Sequence, residues 1–207
     1  MKIAEVFFAL LAVASMAASV HAARKKANDA VRDIRSENLR RDWAYHILPV
    51  KTGSGGWVTL GPDRDNSSLS SVIQESSEGA TGLAMSFVPV NANDSLIRVS
   101  TDLQIDFGSD VPTNSSSSIW QVAPYDGETQ QYFVTVGGDR GPPGAATVRS
   151  WFRIEKNGYF YSLRYCPSVC KTCKVMCKDI GIYNDKGVRR LALSDTPFRI
   201  MFSLMFD

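Results

Sequence analysis

Cysteine is confined to one short window: Cys166, Cys170, Cys173 and Cys177 lie within twelve residues, and the rest of the chain has none. A fold stapled throughout by disulfides is therefore excluded, and covalent cross-linking can reach only one segment. Histidine is nearly as scarce, with His21 and His46 alone. No Gly-x-Ser-x-Gly elbow occurs, and neither glycine cluster, at 53–56 or 137–144, leads into the Lys-Ser/Thr of a phosphate-binding loop. Carboxylates such as Asp63, Asp65, Asp126 and Asp185 fall at turn positions, where aspartate is expected for its turn chemistry. These absences predict a non-enzyme with no catalytic residues and no cofactor.

Charge of either sign is not in excess, since 23 Lys and Arg face 21 Asp and Glu for a formal net charge of +2. That balance argues against a nucleic-acid partner. The one basic cluster, Arg24-Lys25-Lys26, reads as a solvated amino terminus. Long apolar runs are also missing beyond the first twenty residues, so no membrane partner is expected. The amino terminus itself has Lys2, an apolar run over 3–18 interrupted by Glu5 and Ser15, and the small-residue site Val20-His21-Ala22. This pattern predicts a signal peptide over 1–22 and a secreted product, extracellular or in cell wall or vacuole. Removing 1–22 takes Lys2 and Glu5 together, so the net charge stays +2. Residues 23–35 read as a flexible lead-in joining the fold near Val31, and 36–207 as one domain, a monomer or weak dimer.

What is present is a series of short apolar or alternating runs, at 43–49, 57–60, 72–74, 83–87, 103–107, 119–123, 132–136, 151–155, 161–165, 180–183, 189–193 and 199–204. Turn residues separate them, including 53–56, Asp126-Gly127, 137–144, Asn157-Gly158 and 185–187. Twelve short strands at this spacing predict an all-β barrel or sandwich. Trp43, Trp57, Trp120 and Trp151 each begin a strand and are expected at the core or barrel rim. His46 falls inside the first strand and reads as a strand residue.

Tyr161, Leu163 and Tyr165 alternate, and a second apolar run covers 180–183, so the four cysteines occupy a connection between two strands. Their Cys-x3-Cys-x2-Cys-x3-Cys spacing could supply four thiolates to zinc, but a secreted chain oxidises its cysteines, so disulfides are expected and no metal. Of three possible pairings, the nested one, Cys166–Cys177 outside and Cys170–Cys173 inside, best suits a loop between antiparallel strands. The outer bridge should contribute about 3 kcal/mol through the unfolded chain.

The stretch Tyr161-x-Leu-x-Tyr-Cys-Pro-x-Val-Cys, then Cys173-Lys-Val-Met-Cys-Lys-Asp-Ile-Gly-Ile, then Gly187-Val-Arg-Arg-Leu-Ala-Leu-Ser-Asp-x-Pro-Phe resembles the plant Kunitz (soybean trypsin inhibitor) family, in its miraculin-like branch. Val31-x-Asp33, Leu39, the strand at 45–50, Gly82-Leu83, Pro89-Val90 and the run at 97–103 extend the match in order. The resemblance implies a β-trefoil of pseudo-threefold symmetry. It also implies a function carried by an exposed loop that enters a serine endopeptidase, or another endopeptidase, in extended, substrate-like form. Here that loop would comprise Val88, Pro89, Val90, Asn91, Ala92, Asn93, Asp94 and Ser95, with its specificity residue between Asn91 and Asn93. Trypsin's pocket requires Arg or Lys, and this loop has no cation before Arg98.

Three further departures follow from the same resemblance. The family's loop-supporting asparagine maps onto Arg41, whose long guanidinium is expected not to repeat that bonding. Asn93-Asp94-Ser95 is a glycosylation sequon on the loop itself, with two others at Asn66 and Asn114. The family's first disulfide would join positions near Ser68 and Asn114, and neither is cysteine. Weak or lost trypsin inhibition is the expectation. The rival readings are a non-inhibitory trefoil that binds carbohydrate or a taste receptor, and a defence or storage protein acting through another loop such as 137–144, with Arg140 as its cation.

Overall fold

The computed structural model describes residues 29–64, 70–109 and 115–205. Twelve strands run through them: β1 (Ala44–Pro49), β2 (Val58–Gly61), β3 (Ser71–Gln74), β4 (Met85–Pro89), β5 (Leu103–Asp106), β6 (Trp120–Val122), β7 (Val134–Val136), β8 (Arg153–Asn157), β9 (Phe160–Tyr165), β10 (Lys178–Asp185), β11 (Val188–Ser194) and β12 (Ile200–Leu204). Each coincides with one of the twelve runs read from the sequence, to within a few residues. A single 3-10 turn at Val148–Ser150 is the only helical element among the described residues.

Pairing closes six of these strands into a barrel. Three pairs run side by side in register: β1 with β12 from Tyr45↔Leu204 to Pro49↔Ile200, β4 with β5 from Ser86↔Asp106 to Pro89↔Leu103, and β8 with β9 from Arg153↔Arg164 to Asn157↔Phe160. The other three seams are staggered, each joining the start of one strand to the start of its partner: Tyr45↔Met85, Leu103↔Phe152 and Tyr161↔Ile200. The same stagger therefore recurs once in each four-strand lobe, β1–β4, β5–β8 and β9–β12. The six residues at the staggered seams are all buried, so the repeat forms a layer of the core.

The remaining strands form three hairpins, β2–β3, β6–β7 and β10–β11, that close one end of the barrel. They join each other in a triangle through Ser71↔Thr135, Phe133↔Ala192 and Arg189↔Gln74. A six-stranded barrel with a three-hairpin cap is a β-trefoil. The β10–β11 turn needs positive φ at both central residues, and Lys186 (51°) and Gly187 (92°) supply it.

Two details revise the sequence reading. Val31 is fully buried and donates its backbone N–H to Ile97, while Ile34 bonds Phe202 and the Arg32 amide bonds the Tyr161 hydroxyl. The fold therefore already includes 30–35, and the domain boundary expected at 36 falls too late for a lead-in that joins near Val31. Second, the fourth strand begins at Met85 rather than Leu83 and runs on through Pro89. The expected signal peptide, the sequons at Asn66 and Asn114, and the missing bridge near Ser68 and Asn114 lie outside the described residues. Among the described residues no helix is long and apolar enough to cross a membrane.

Candidate functional site: the loop between β4 and β5

The connection from Val90 to Asp102 emerges at the barrel end opposite the hairpin cap, because β4 runs away from the cap and β5 returns toward it. Val88 and Pro89 are not part of the exposed loop: they pair with Gln104 and Leu103 in the β4–β5 ladder, and Pro89 is buried. Proline is tolerated there because its missing N–H leaves one ladder bond unmade at a strand end. Asn91, Ala92, Asn93 and Ser95 are exposed, and Asp94 is half-buried.

The tip is a turn, not an extended segment. Asp94 donates its backbone N–H to the Asn91 carbonyl at 3.0 Å, and the Asn93 N–H reaches the Asn91 side-chain oxygen at 3.2 Å. Asparagine at the head of a β-turn bonds its own backbone two residues on, and the composition Asn-Ala-Asn-Asp favours that closure over extension. The expectation of an extended, substrate-like loop is thus corrected at 91–94.

Both flanks of the turn are fixed. On one side Val90 donates to the Asp102 carbonyl at 2.8 Å. On the other, Leu96 bridges Arg40, the Arg41 amide donates to the Ser95 carbonyl at 3.0 Å, and Ile97 donates to Leu39 at 2.9 Å. Arg98 pairs with Asp94 at 3.1 Å across one turn of chain. The Arg41 guanidinium also donates to the Ala92 carbonyl. Loss of scaffold support at Arg41 is therefore not what the structure has: the longer side chain spans the distance and ties the tip from outside. What differs from an amide is that a guanidinium only donates, so it holds carbonyls and no N–H groups of the loop.

Asp102 couples this base to the cysteine segment. Its carboxylate is buried and accepts the Arg153 guanidinium at 2.7 Å, the Ser168 amide at 2.9 Å and the Ser168 hydroxyl at 2.6 Å. Ser168 belongs to the β9–β10 connection, which two disulfides close, Cys166–Cys177 and Cys170–Cys173. With all four sulfurs in disulfides, no thiolate set for zinc exists, and no group of three or more metal-ligating side chains occurs among the described residues. Sequence reasoning missed Asp102 because a buried aspartate just before a strand carries no local signal of a partner 66 residues away.

His46 lies on β1 with its ring 4.8 Å from that of Trp57, and burial lowers its pKa, partly offset by the backbone of Leu83 and Gly82. Trp120 and Trp151 are buried, whereas Trp43 is exposed at the rim under the Arg40 guanidinium, 5.4 Å from its ring centre. Arg140, the alternative cation, is largely exposed but ion-paired with the buried Asp106.

A family model described as trypsin and protease inhibitor, of the legume Kunitz type, matches residues 31–203. The chain belongs to the plant Kunitz inhibitor family. Miraculin from Synsepalum dulcificum is 42% identical over 95% of this chain and 93% of its own length. Kunitz trypsin inhibitor 5 from Arabidopsis thaliana is 41% identical over 83% of this chain and 84% of its own. Among solved structures, the Kunitz-type cysteine protease inhibitor PCPI-3 from potato superposes with a TM-score of 0.75 at 32% identity, covering 87% of this chain and 99% of that one. Kunitz proteins are inhibitors of serine or cysteine proteases, and this member is not an enzyme.

Proposed function

We propose that this secreted Kunitz protein binds a serine endopeptidase through the connection that follows β4, with residues 90–95 as the contact, and that it inhibits trypsin weakly or not at all. The observation that supports it is a tip, Asn91 to Ser95, exposed except at Asp94 and held on both flanks by backbone bonds and from outside by Arg41. A loop ordered before binding loses little entropy on docking, which is the source of inhibitor affinity. The tip carries Asn and Ala where a trypsin pocket needs a cation, and a buried guanidinium–carboxylate contact of that kind is worth about 2 kcal/mol or more. A glycan at Asn93, whose side chain is exposed in the sequon, would further obstruct entry to a cleft.

A second reading is favoured by one specific observation, the Asn91–Asp94 turn, which does not present its backbone as a substrate does. In that reading the chain is a non-inhibitory trefoil binding protein. One panel separates the two: inhibition constants of the glycosylated and deglycosylated protein against trypsin, chymotrypsin, elastase, subtilisin and a papain-like enzyme. Stoichiometric inhibition of a protease with an apolar or small specificity pocket supports the first. Uniform inactivity of a folded, deglycosylated protein that gains nothing from Asn91→Arg, Ala92→Arg or Asn93→Arg supports the second.

A further inference from the structure

At the cap end of the barrel, remote from the β4–β5 loop, a cavity of ≈ 580 Å³ opens between the β1–β2 connection, the β10–β11 hairpin and the β11–β12 connection. Its floor is apolar, with Val50, Ile182 and Phe198, and three cations line it: Lys51, Arg189 and Arg199. Among the described residues no carboxylate lines it. β1 separates it from the loop, since Arg41 precedes that strand and Val50 follows it, a span of roughly 20 Å for six residues.

The three cations differ from many of the other basic residues around the barrel. Arg64, Arg98, Arg140, Arg153, Arg164, Arg190, Lys178 and Lys186 each have a carboxylate partner. Lys51, Arg189 and Arg199 have none among the described residues. Of the acidic groups nearby, Glu78 accepts the Gly53 amide at 2.8 Å, and Asp195, between the lining residues Ser194 and Thr196, is paired with Lys178 at 2.5 Å. Arg189 is held by neutral groups instead: its guanidinium donates to the Gln74 side-chain oxygen at 2.6 and 3.1 Å and to the Ser54 carbonyl at 2.9 Å. Gln74 is fully buried, and its own amide is spent on the Ser54 and Gly56 carbonyls at 2.8 and 3.0 Å. The cation is thus oriented in advance without being neutralised. Phe198 is fixed too, its N–H bonded to the Ile180 carbonyl at 2.8 Å and its ring packed on the core.

From this juxtaposition of apolar floor, cationic rim and absent counter-charge, we propose that the cap-end cavity is a binding site for a small apolar acid, an aryl or alkyl carboxylate. The volume lies within the range of small-molecule sites, which combine apolar walls with a few placed polar groups. The apolar part of the ligand would cover Val50, Ile182 and Phe198, and its carboxylate would meet Arg189 and Arg199 from the solvent side, with Lys51 closing the rim. A sulfated glycan would use the cations but leave the apolar floor unmatched. This inference is independent of the inhibitory reading, because no residue of the cavity belongs to the β4–β5 loop.

The test is a calorimetric or NMR titration of the intact protein with 2-naphthoate, its neutral analogue 2-naphthamide and its cationic analogue 2-naphthylmethylamine. The expected result is saturable one-to-one binding of the acid, about tenfold tighter than the amide, with no binding of the amine. Arg199→Gln and Lys51→Gln, both at exposed side chains, should each weaken the acid about threefold while leaving the amide unchanged. Added salt should weaken the acid alone. The proposal is overturned if the acid and the amide bind equally, if neither saturates, if both variants bind the acid as the parent does, or if a sulfated disaccharide binds more tightly than 2-naphthoate.

Discussion

Asp185 lies at the end of β10 where all three lobes meet, and its substitution by asparagine should be among the most damaging conservative changes in the protein. Its carboxylate accepts Arg190 at 2.8 Å and Arg64 at 3.1 Å, with side-chain exposures of 8%, 5% and 10% for the three residues. Arg64 also reaches Asp126, and Glu128 at 2.9 Å, so it keeps anionic partners in Asp185→Asn. Arg190 does not. It would keep only neutral acceptors, the Pro62 carbonyl at 2.9 Å, the Ser71 hydroxyl at 2.5 Å and the amide oxygen of the new side chain, and stay buried as an uncompensated cation. Breaking a buried pair from one side costs about 3–5 kcal/mol, and the remaining neutral acceptors place this case near the lower end, ~3 kcal/mol. For a domain of this length that is a fall in Tm of about 6–12 °C. The assay is urea denaturation of parent, Asp185→Asn, Arg190→Met and the double variant, with amide exchange read at Arg64 and Ser71. The double variant should lose clearly less than the sum of the singles, because removing both charges leaves no orphan. A loss under about 1 kcal/mol for Asp185→Asn, or additivity of the pair, would refute the reasoning.

Four other outcomes are expected. Arg41→Ala removes the tie to Ala92 and should speed amide exchange in residues 91–95 with little change in global stability, about 1 kcal/mol at most for a bond at a partly exposed side chain. Asp102→Asn should destabilise by about 2–3 kcal/mol and loosen both the β4–β5 loop base and the β9–β10 connection, seen as faster exchange at Val90 and Ser168 together. Non-reducing peptide mapping should find Cys166–Cys177 and Cys170–Cys173 and no free thiol; four free thiols with bound zinc would overturn the pairing. Burial holds the folded-state pKa of His46 below its ordinary value of 6.5, so the unfolded chain takes up the proton first and stability should fall as pH drops through 6.5 toward the folded-state value. His46→Phe should flatten the stability profile in that window, as measured by denaturant midpoints across pH.

The barrel strands were legible because each buries one face and writes it as period-two alternation, as in Tyr45 and Ile47 of β1 or Met85, Phe87 and Pro89 of β4. Turns were legible where they demand positive φ, as at Gly158 and Gly187. The cysteine segment was legible because its spacing and flanking strands leave few pairings. The site was less so. Its position came from resemblance, but its conformation did not, because the Asn91–Asp94 closure is decided by side-chain bonding within four residues that any alignment treats as substitutable. Arg41 shows the same limit from the other direction: judged by type, a guanidinium is too long to replace an amide, yet its reach is what lets it meet the Ala92 carbonyl. Long-range partners such as Asp102 with Ser168 or Asp185 with Arg64 leave no periodic trace at all, since one buried carboxylate before or after a strand looks like any turn aspartate.

These long-range partners bear on how the chain holds its loop without the bridge that relatives are expected to have near positions 68 and 114. Pro62 and Arg64 on one side of that region and Ser71 on the other are all bound to the same buried pair, Asp185 and Arg190. Arg64 extends the connection to Asp126 and Glu128 in the second lobe. A disulfide acts mainly on the unfolded chain, whereas an ion network acts only in the folded one and is weakened by anything that protonates or orphans a member. Since the β4–β5 loop takes its support through Arg41 on one flank and through Asp102 and Ser168 to the disulfide segment on the other, reduction of the two disulfides should free the Val90 flank before the Arg41 flank. Amide exchange at Val90 should then rise on reduction ahead of exchange at Ser95, and simultaneous release of the two flanks would show that the loop is held as one unit instead.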